Sequence, residues 1–166
     1  METDLKERQK TGRKEKIRAY VLSILISCAA GGLSAIFSGG MKNAGELVNP
    51  PLTPPAWVFP PVWSVLYILM GISAAAVWLK KSKDTKKALT CYGVQLIVNL
   101  IWPVLYFMLE MRLAAFIWIL VLCALITVMI IRFRAVDRRA AYLQLPYLVW
   151  TLFAAYLNFG TYILNR

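Results

Sequence analysis

Residues 49–78 read NPPLTPPAWVFPPVWSVLYILMGISAAAVW, a stretch holding six of the chain's eight prolines and three of its six tryptophans. From Ala56 to Leu79 it carries no charged side chain, and a run of that length is what a helix needs to cross a hydrocarbon core, roughly 20 residues. The prolines place a loop-to-helix junction at its start. Thr53 is expected to cap the helix, with Pro54 and Pro55 in its first positions, where a missing N–H costs nothing. Pro60 and Pro61 are then expected inside a running helix, each removing a backbone hydrogen bond and crowding the carbonyl four residues back. In a membrane such a bend needs shelter from protein or a cavity, so the stretch reads as a shaped pocket wall.

Working outward, four more stretches are long and apolar enough to span, giving five at 17–37, 56–79, 88–109, 113–131 and 141–164. With 60% hydrophobic residues and a mean hydropathy of +0.61, the 166-residue chain is too apolar for a soluble domain of its size. The expected fold is an all-α membrane protein, a five-transmembrane-helix bundle over 17–166 preceded by a basic cytoplasmic tail, 1–16. The first apolar stretch exceeds a signal-peptide core and is expected to remain as a span.

The net charge of +11 raises nucleic acid as a partner, but its distribution argues for topology instead. Sixteen cations precede or open the first span or lie in the 80–87 connection and the 132–139 segment, against three on the other side: Lys42, Arg112 and Arg166. That is the positive-inside pattern. It predicts a cytoplasmic N-terminus, an outside C-terminus and no nucleic-acid partner. Without a transit-like composition in the tail, a bacterial inner membrane is the expected location. The three cysteines, Cys28, Cys91 and Cys123, are scattered, which suits buried thiols rather than a disulfide framework.

No Asp, Glu, Lys or Arg falls deep inside a span, and the chain has no histidine. Proton and ion pumps keep ionisable groups at that depth, and His-based metal, haem or nucleophile sites cannot be built here. No cofactor is expected to be required. The spans carry amides and aromatics in their place. Gln95, Asn99 and Trp102 share one face of the third span, with Pro103 next; its ring should displace the Asn99 carbonyl. Tyr147, Trp150, Ala154 and Asn158 form a stripe on the fifth, and Trp63, Tyr67 and Met70 one on the second. At about 1.5 Å per residue, Trp63 lies about 10 Å, and Asn99 about 15 Å, below the outer helix ends. The nine residues Trp63, Tyr67, Gln95, Asn99, Trp102, Tyr147, Trp150, Ala154 and Asn158 are therefore the candidate ligand-binding set. Flat rings with a few amides suit a rigid, mostly apolar small molecule. The competing reading is structural, since amides in membrane helices bond neighbouring helices and tryptophans mark interfaces. That plainer role is favoured for Trp57, Trp78 and Trp118. Gly31, Ala35, Gly71 and Ala75 allow close helix approach, and a homodimer, without assigning its face.

Three blocks, PPLTPPAWVFPPVWSVLYILMG, QLIVNLIWPVLYF and LPYLVWTLFAAYLN, in this order, resemble the translocator protein family, also called tryptophan-rich sensory protein or peripheral benzodiazepine receptor. The resemblance covers about residues 20–165. It implies a five-helix bundle that binds porphyrins such as protoporphyrin IX, sterols in animal members, and benzodiazepine-type ligands, with bacterial relatives tied to tetrapyrrole regulation. Trp63 and Trp150 match the family's second- and fifth-helix tryptophans, implicated in ligand contact and in light-dependent porphyrin breakdown. Gln95, Asn99 and Trp102 match its third-helix pattern. The chain departs from the family at Ala44, where many members carry an aromatic ring before the loop leucine (Leu47 here), and at Leu52, a tryptophan in some. Phe159 replaces the tyrosine of the animal sterol motif, although Leu157, Tyr162 and Arg166 keep its formal pattern. Porphyrin binding for sensing, regulation or transport is the leading expectation. Light-driven porphyrin breakdown by Trp63 and Trp150, and a scaffold or accessory role, remain alternatives.

Overall fold

The computed structural model describes residues 2–39 and 47–166, with side chains from residue 12 onward. Lys42 and Ala44, which entered the sequence reading, lie outside the described residues. The elements are α1 (Glu2–Phe37), a 3-10 turn (Ala56–Val58), α2 (Phe59–Lys80), α3 (Thr85–Pro103), a π turn (Val104–Met108), α4 (Arg112–Val136), α5 (Arg138–Tyr142) and α6 (Leu145–Leu164). Among the described residues, five segments are long and apolar enough to cross a membrane: Gly12–Phe37, Ala56–Lys80, Thr85–Met108, Arg112–Val136 and Arg138–Leu164. The protein is an integral membrane five-helix bundle.

The start of α2 differs from the sequence expectation. Thr53 caps no helix: its hydroxyl donates to the Pro50 carbonyl at 2.7 Å, and its N–H to the same oxygen at 3.3 Å. Pro51 and Leu52, the latter at φ 67°, fill the middle of this turn, the pattern of a type II turn with Pro first and a left-handed residue second. The helix proper begins at Phe59, which puts Pro60 and Pro61 in its first turn rather than inside it. They therefore remove no bond and impose no kink, because N–H groups of a first turn have no intrahelical acceptor. Pro103 behaves as a breaker. It ends α3, and the chain winds on as a π turn, with Leu109 N–H reaching Val104 O at 2.9 Å. Pro146 opens α6 after a break at Leu143 and Gln144.

Packing sets the order round the bundle as α2, α1, α3, α4, α6. Gly71 lets α1 lie against α2 so closely that a Cβ there would stand 2.5 Å from Ile24 Cα, and a Cβ on Gly31 would strike the Tyr67 ring. α4 wedges between α3 and α6 through Leu122, Ile126, Met129 and Phe133, all buried. The ring is least closed between α6 and α2, whose backbones barely approach each other. Aromatic side chains bridge that seam. The buried polar residues among those described are uncharged: Ser27, Ser73, Gln95, Asn99, Gln144, Thr151, Asn158 and Thr161.

Candidate functional site

Helical periodicity carries Gln95 and Asn99 to the inner face of α3, Tyr67 to that of α2 and Tyr147 to that of α6, where their polar atoms form one chain of bonds. Tyr67 donates its hydroxyl to Asn99 Oδ1 at 2.9 Å, Asn99 Nδ2 donates to the Tyr147 hydroxyl at 2.6 Å, and that hydroxyl donates to Gln95 Oε1 at 2.9 Å. Gln95 Nε2 faces Met70 Sδ at 3.9 Å. All four network residues are buried, Gln95 completely. Each group is satisfied by a partner on another helix, so the chain both ties α2, α3 and α6 together and lines the interior with amide and phenol groups.

Trp63 covers this network from the α2 side, its ring 5.7 Å from Tyr67 and 6.3 Å from Tyr147. Trp150 stands in the α2–α6 seam, edge-on to Phe59 at 5.8 Å and 5.7 Å from Phe153. Three residues turn a helix through about 300°, so Trp150 is offset by about 60° from the line of Tyr147, Ala154 and Asn158. Its indole N–H is buried and has no acceptor. A buried donor left unpaired costs about 1–3 kcal/mol. The structure thus holds an unanswered hydrogen-bond donor in the seam where helix contact is weakest.

Six of the nine sequence candidates gather here: Trp63, Tyr67, Gln95, Asn99, Tyr147 and Trp150. The other three form a separate outer group. Trp102 donates to Asn158 Oδ1 at 3.1 Å, Asn158 Nδ2 returns to the Ala154 carbonyl at 2.8 Å, and Ala154 packs with Ile119 of α4. Trp102 also stacks on Tyr106 at 5.4 Å, a contact that the π turn after Pro103 makes available.

Other residues of the region escaped the sequence reading. Phe59, the seam partner of Trp150, sits four residues before Trp63 and was findable from spacing. Gln144 is fully buried with neither amide atom bonded, one turn from Tyr147 toward the α5 junction. Trp118, for which the plainer non-ligand role is favoured, donates to Val98 O at 2.8 Å and fastens α4 to α3. Trp57 and Trp78 are 73% and 60% exposed, as interface residues should be. At the end of the bundle where α6 finishes, the end of the long loop is latched to α6. Asn165 exchanges two bonds with the Val48 backbone, each 2.9 Å, Tyr156 donates to Pro51 O at 2.9 Å, and Pro50 fills the space above Gly160. No spacing rule connects residues so far apart in sequence.

Residues 22–164 match the TspO/MBR family. The chain belongs to that family. Among its relatives, the "Tryptophan-rich protein TspO" of Chlorobaculum tepidum is 37% identical over 123 residues, 72% of this chain and 77% of the relative. The protein of the same name from Archaeoglobus fulgidus is 34% identical over 152 residues, 90% and 97% of the two chains. The "Translocator protein" of Ovis aries is 34% identical over 131 residues, 77% and 78%. The TspO/MBR match runs from α1 to the last residue of α6 and so takes in every residue of the network and the seam.

Proposed function

We propose that the protein binds a porphyrin in the α2–α6 seam and serves in tetrapyrrole sensing, regulation or transport across the bacterial inner membrane, with its N-terminus in the cytoplasm. The observation that carries the reading is the buried, unpartnered indole N–H of Trp150, set in the seam where the backbones of α2 and α6 barely approach each other. A flat macrocycle offers what the seam lacks: polar edge and carboxylate atoms able to accept that proton, and faces that replace the Phe59–Trp150 and Trp63–Tyr147 contacts. Each such aromatic pair is worth about 0.5–1.5 kcal/mol. Parting both therefore costs little against the stacking a macrocycle returns. The names that relatives carry, translocator protein and tryptophan-rich sensory protein, fit a carrier or sensor.

The test is a titration of purified protein with protoporphyrin IX, followed by quenching of tryptophan fluorescence. The Trp63→Ala/Trp150→Ala variant should lose at least about tenfold in affinity, the equivalent of 1.4 kcal/mol; unchanged affinity would refute the site. Illuminating the complex separates binding from light-dependent breakdown. Porphyrin loss faster than in free solution, slowed in Trp150→Phe, would give these indoles a chemical role as well.

A further inference from the structure

We propose that a second site, independent of the seam, holds the phosphate-bearing headgroup of an anionic phospholipid between the ends of α2 and α3. An open depression of about 550 Å³ lies there, lined by Lys81, Lys86, Ser82 and Thr85 together with Trp78 and Leu89. These two kinds of lining answer two parts of one molecule. Ammonium and hydroxyl groups meet a phosphate, while an indole and an isobutyl side chain meet the first methylenes of an acyl chain. Trp78 is 60% exposed and lies within the last turn of a span, the depth at which tryptophan sits among headgroups. A free phosphate would have no use for that apolar wall, so the cavity favours a lipid.

Of the two nearby acids, Asp84 stands in the same connection but outside the lining, and Asp137 is engaged elsewhere. Its carboxylate is bound by Lys80 at 3.1 Å and by the N–H groups of Arg139 and Ala140 at 2.8 and 3.2 Å, in the neighbouring cavity at the α4–α5 junction. Lys81 is held in a left-handed backbone conformation at φ 49°, where glycine is the unstrained choice. A cation stands at that turn all the same. Basic pockets between membrane helices favour anionic headgroups, by about fivefold for each cation near the surface.

Native mass spectrometry of the full chain, released from neutral detergent after equilibration with equal phosphatidylglycerol and phosphatidylcholine, reads the preference directly. The wild type should retain the anionic lipid, and Lys81→Gln/Lys86→Gln should reduce the preference at least about tenfold. Lys83→Gln/Lys87→Gln removes the same charge outside the cavity lining and should leave most of the preference in place. Equal retention of both lipids by the wild type would overturn the proposal, as would equal losses in the two double variants. Displacement of the lipid by millimolar inorganic phosphate would also overturn it, making the site one for free anions. Since none of these lysines touches the seam, porphyrin affinity should stay the same in both variants.

Discussion

Tyr147 holds two carboxamides at once, accepting from Asn99 and donating to Gln95. Tyr147→Phe keeps the ring against Trp63 and leaves Asn99 Nδ2 and Gln95 Oε1 without their partner, so it should destabilise the bundle by about 1–3 kcal/mol for each of these atoms that finds no new one, read as a lower thermal midpoint in detergent. Gln144 offers the opposite case. Its amide is buried and already unpaired, so Gln144→Met removes a desolvation cost and should leave the midpoint unchanged or raise it. At the membrane edge, Asp137 carries a pH dependence. Desolvation raises its carboxyl, but the hydrogen bond from Lys80, those from Ala140 and Arg139 N–H and the Lys80 charge outweigh this and hold it below the ordinary 3.8. A depressed acid stabilises fully above its unfolded value and loses that contribution as pH falls through the folded one. Melting curves should therefore decline on acidification below about pH 4, and Asp137→Asn should flatten that decline. At this scale the sequence was informative where one helix face decides the outcome: Gln95, Asn99, Tyr147 and Trp63 met as their periods required. It was uninformative where a bond joins distant segments. Trp118 to Val98 and Asn165 to Val48 depend on which helices become neighbours, which no single stretch encodes.

Among the elements, the α1–α2 pair depends most on small residues. Gly71→Val would press a branched side chain into the Ile24 backbone, and overpacking of this kind costs about 1–3 kcal/mol. The expected result is a lowered thermal midpoint, with α1 more open to protease. The proline segment shows how a correct composition can lead to a wrong boundary. PPLTPPAWVFPP announces a junction, but it offers two places to start a helix. The Pro50–Thr53 turn engages the Thr53 hydroxyl, leaving Phe59 as the start and converting Pro60 and Pro61 from breakers into first-turn residues. Pro103 was read correctly as disruptive; the π turn it leads into, and the Trp102–Tyr106 stack, follow from how the strand of carbonyls is relieved, which spacing alone does not give. The latch between the loop and the end of α6 should govern access to the seam. Asn165→Ala removes two bonds to Val48 and is expected to speed both association and release of porphyrin in stopped-flow fluorescence, with a smaller change in affinity.

Over the whole molecule, α1, α3, α4 and the inner faces of α2 and α6 make a tightly packed arc, while the backbones of α6 and α2 barely approach each other and ring contacts bridge their seam. Five spans and the interior without charge were legible from hydropathy and residue types, because a bilayer imposes both. That the nine candidates divide into an inner network and an outer Trp102–Asn158 group was not, since it depends on the twist of α6 against α3 and α4. The account stands on Trp150 answering a ligand with its free N–H. Nitrogen-15 labelling of the tryptophan indoles, with spectra taken before and after saturation by protoporphyrin IX, measures this most directly. The Trp150 indole resonance should shift strongly and exchange more slowly with solvent, while that of Trp118, already bonded to Val98, stays in place. A Trp150 signal that does not move at saturation would contradict the account.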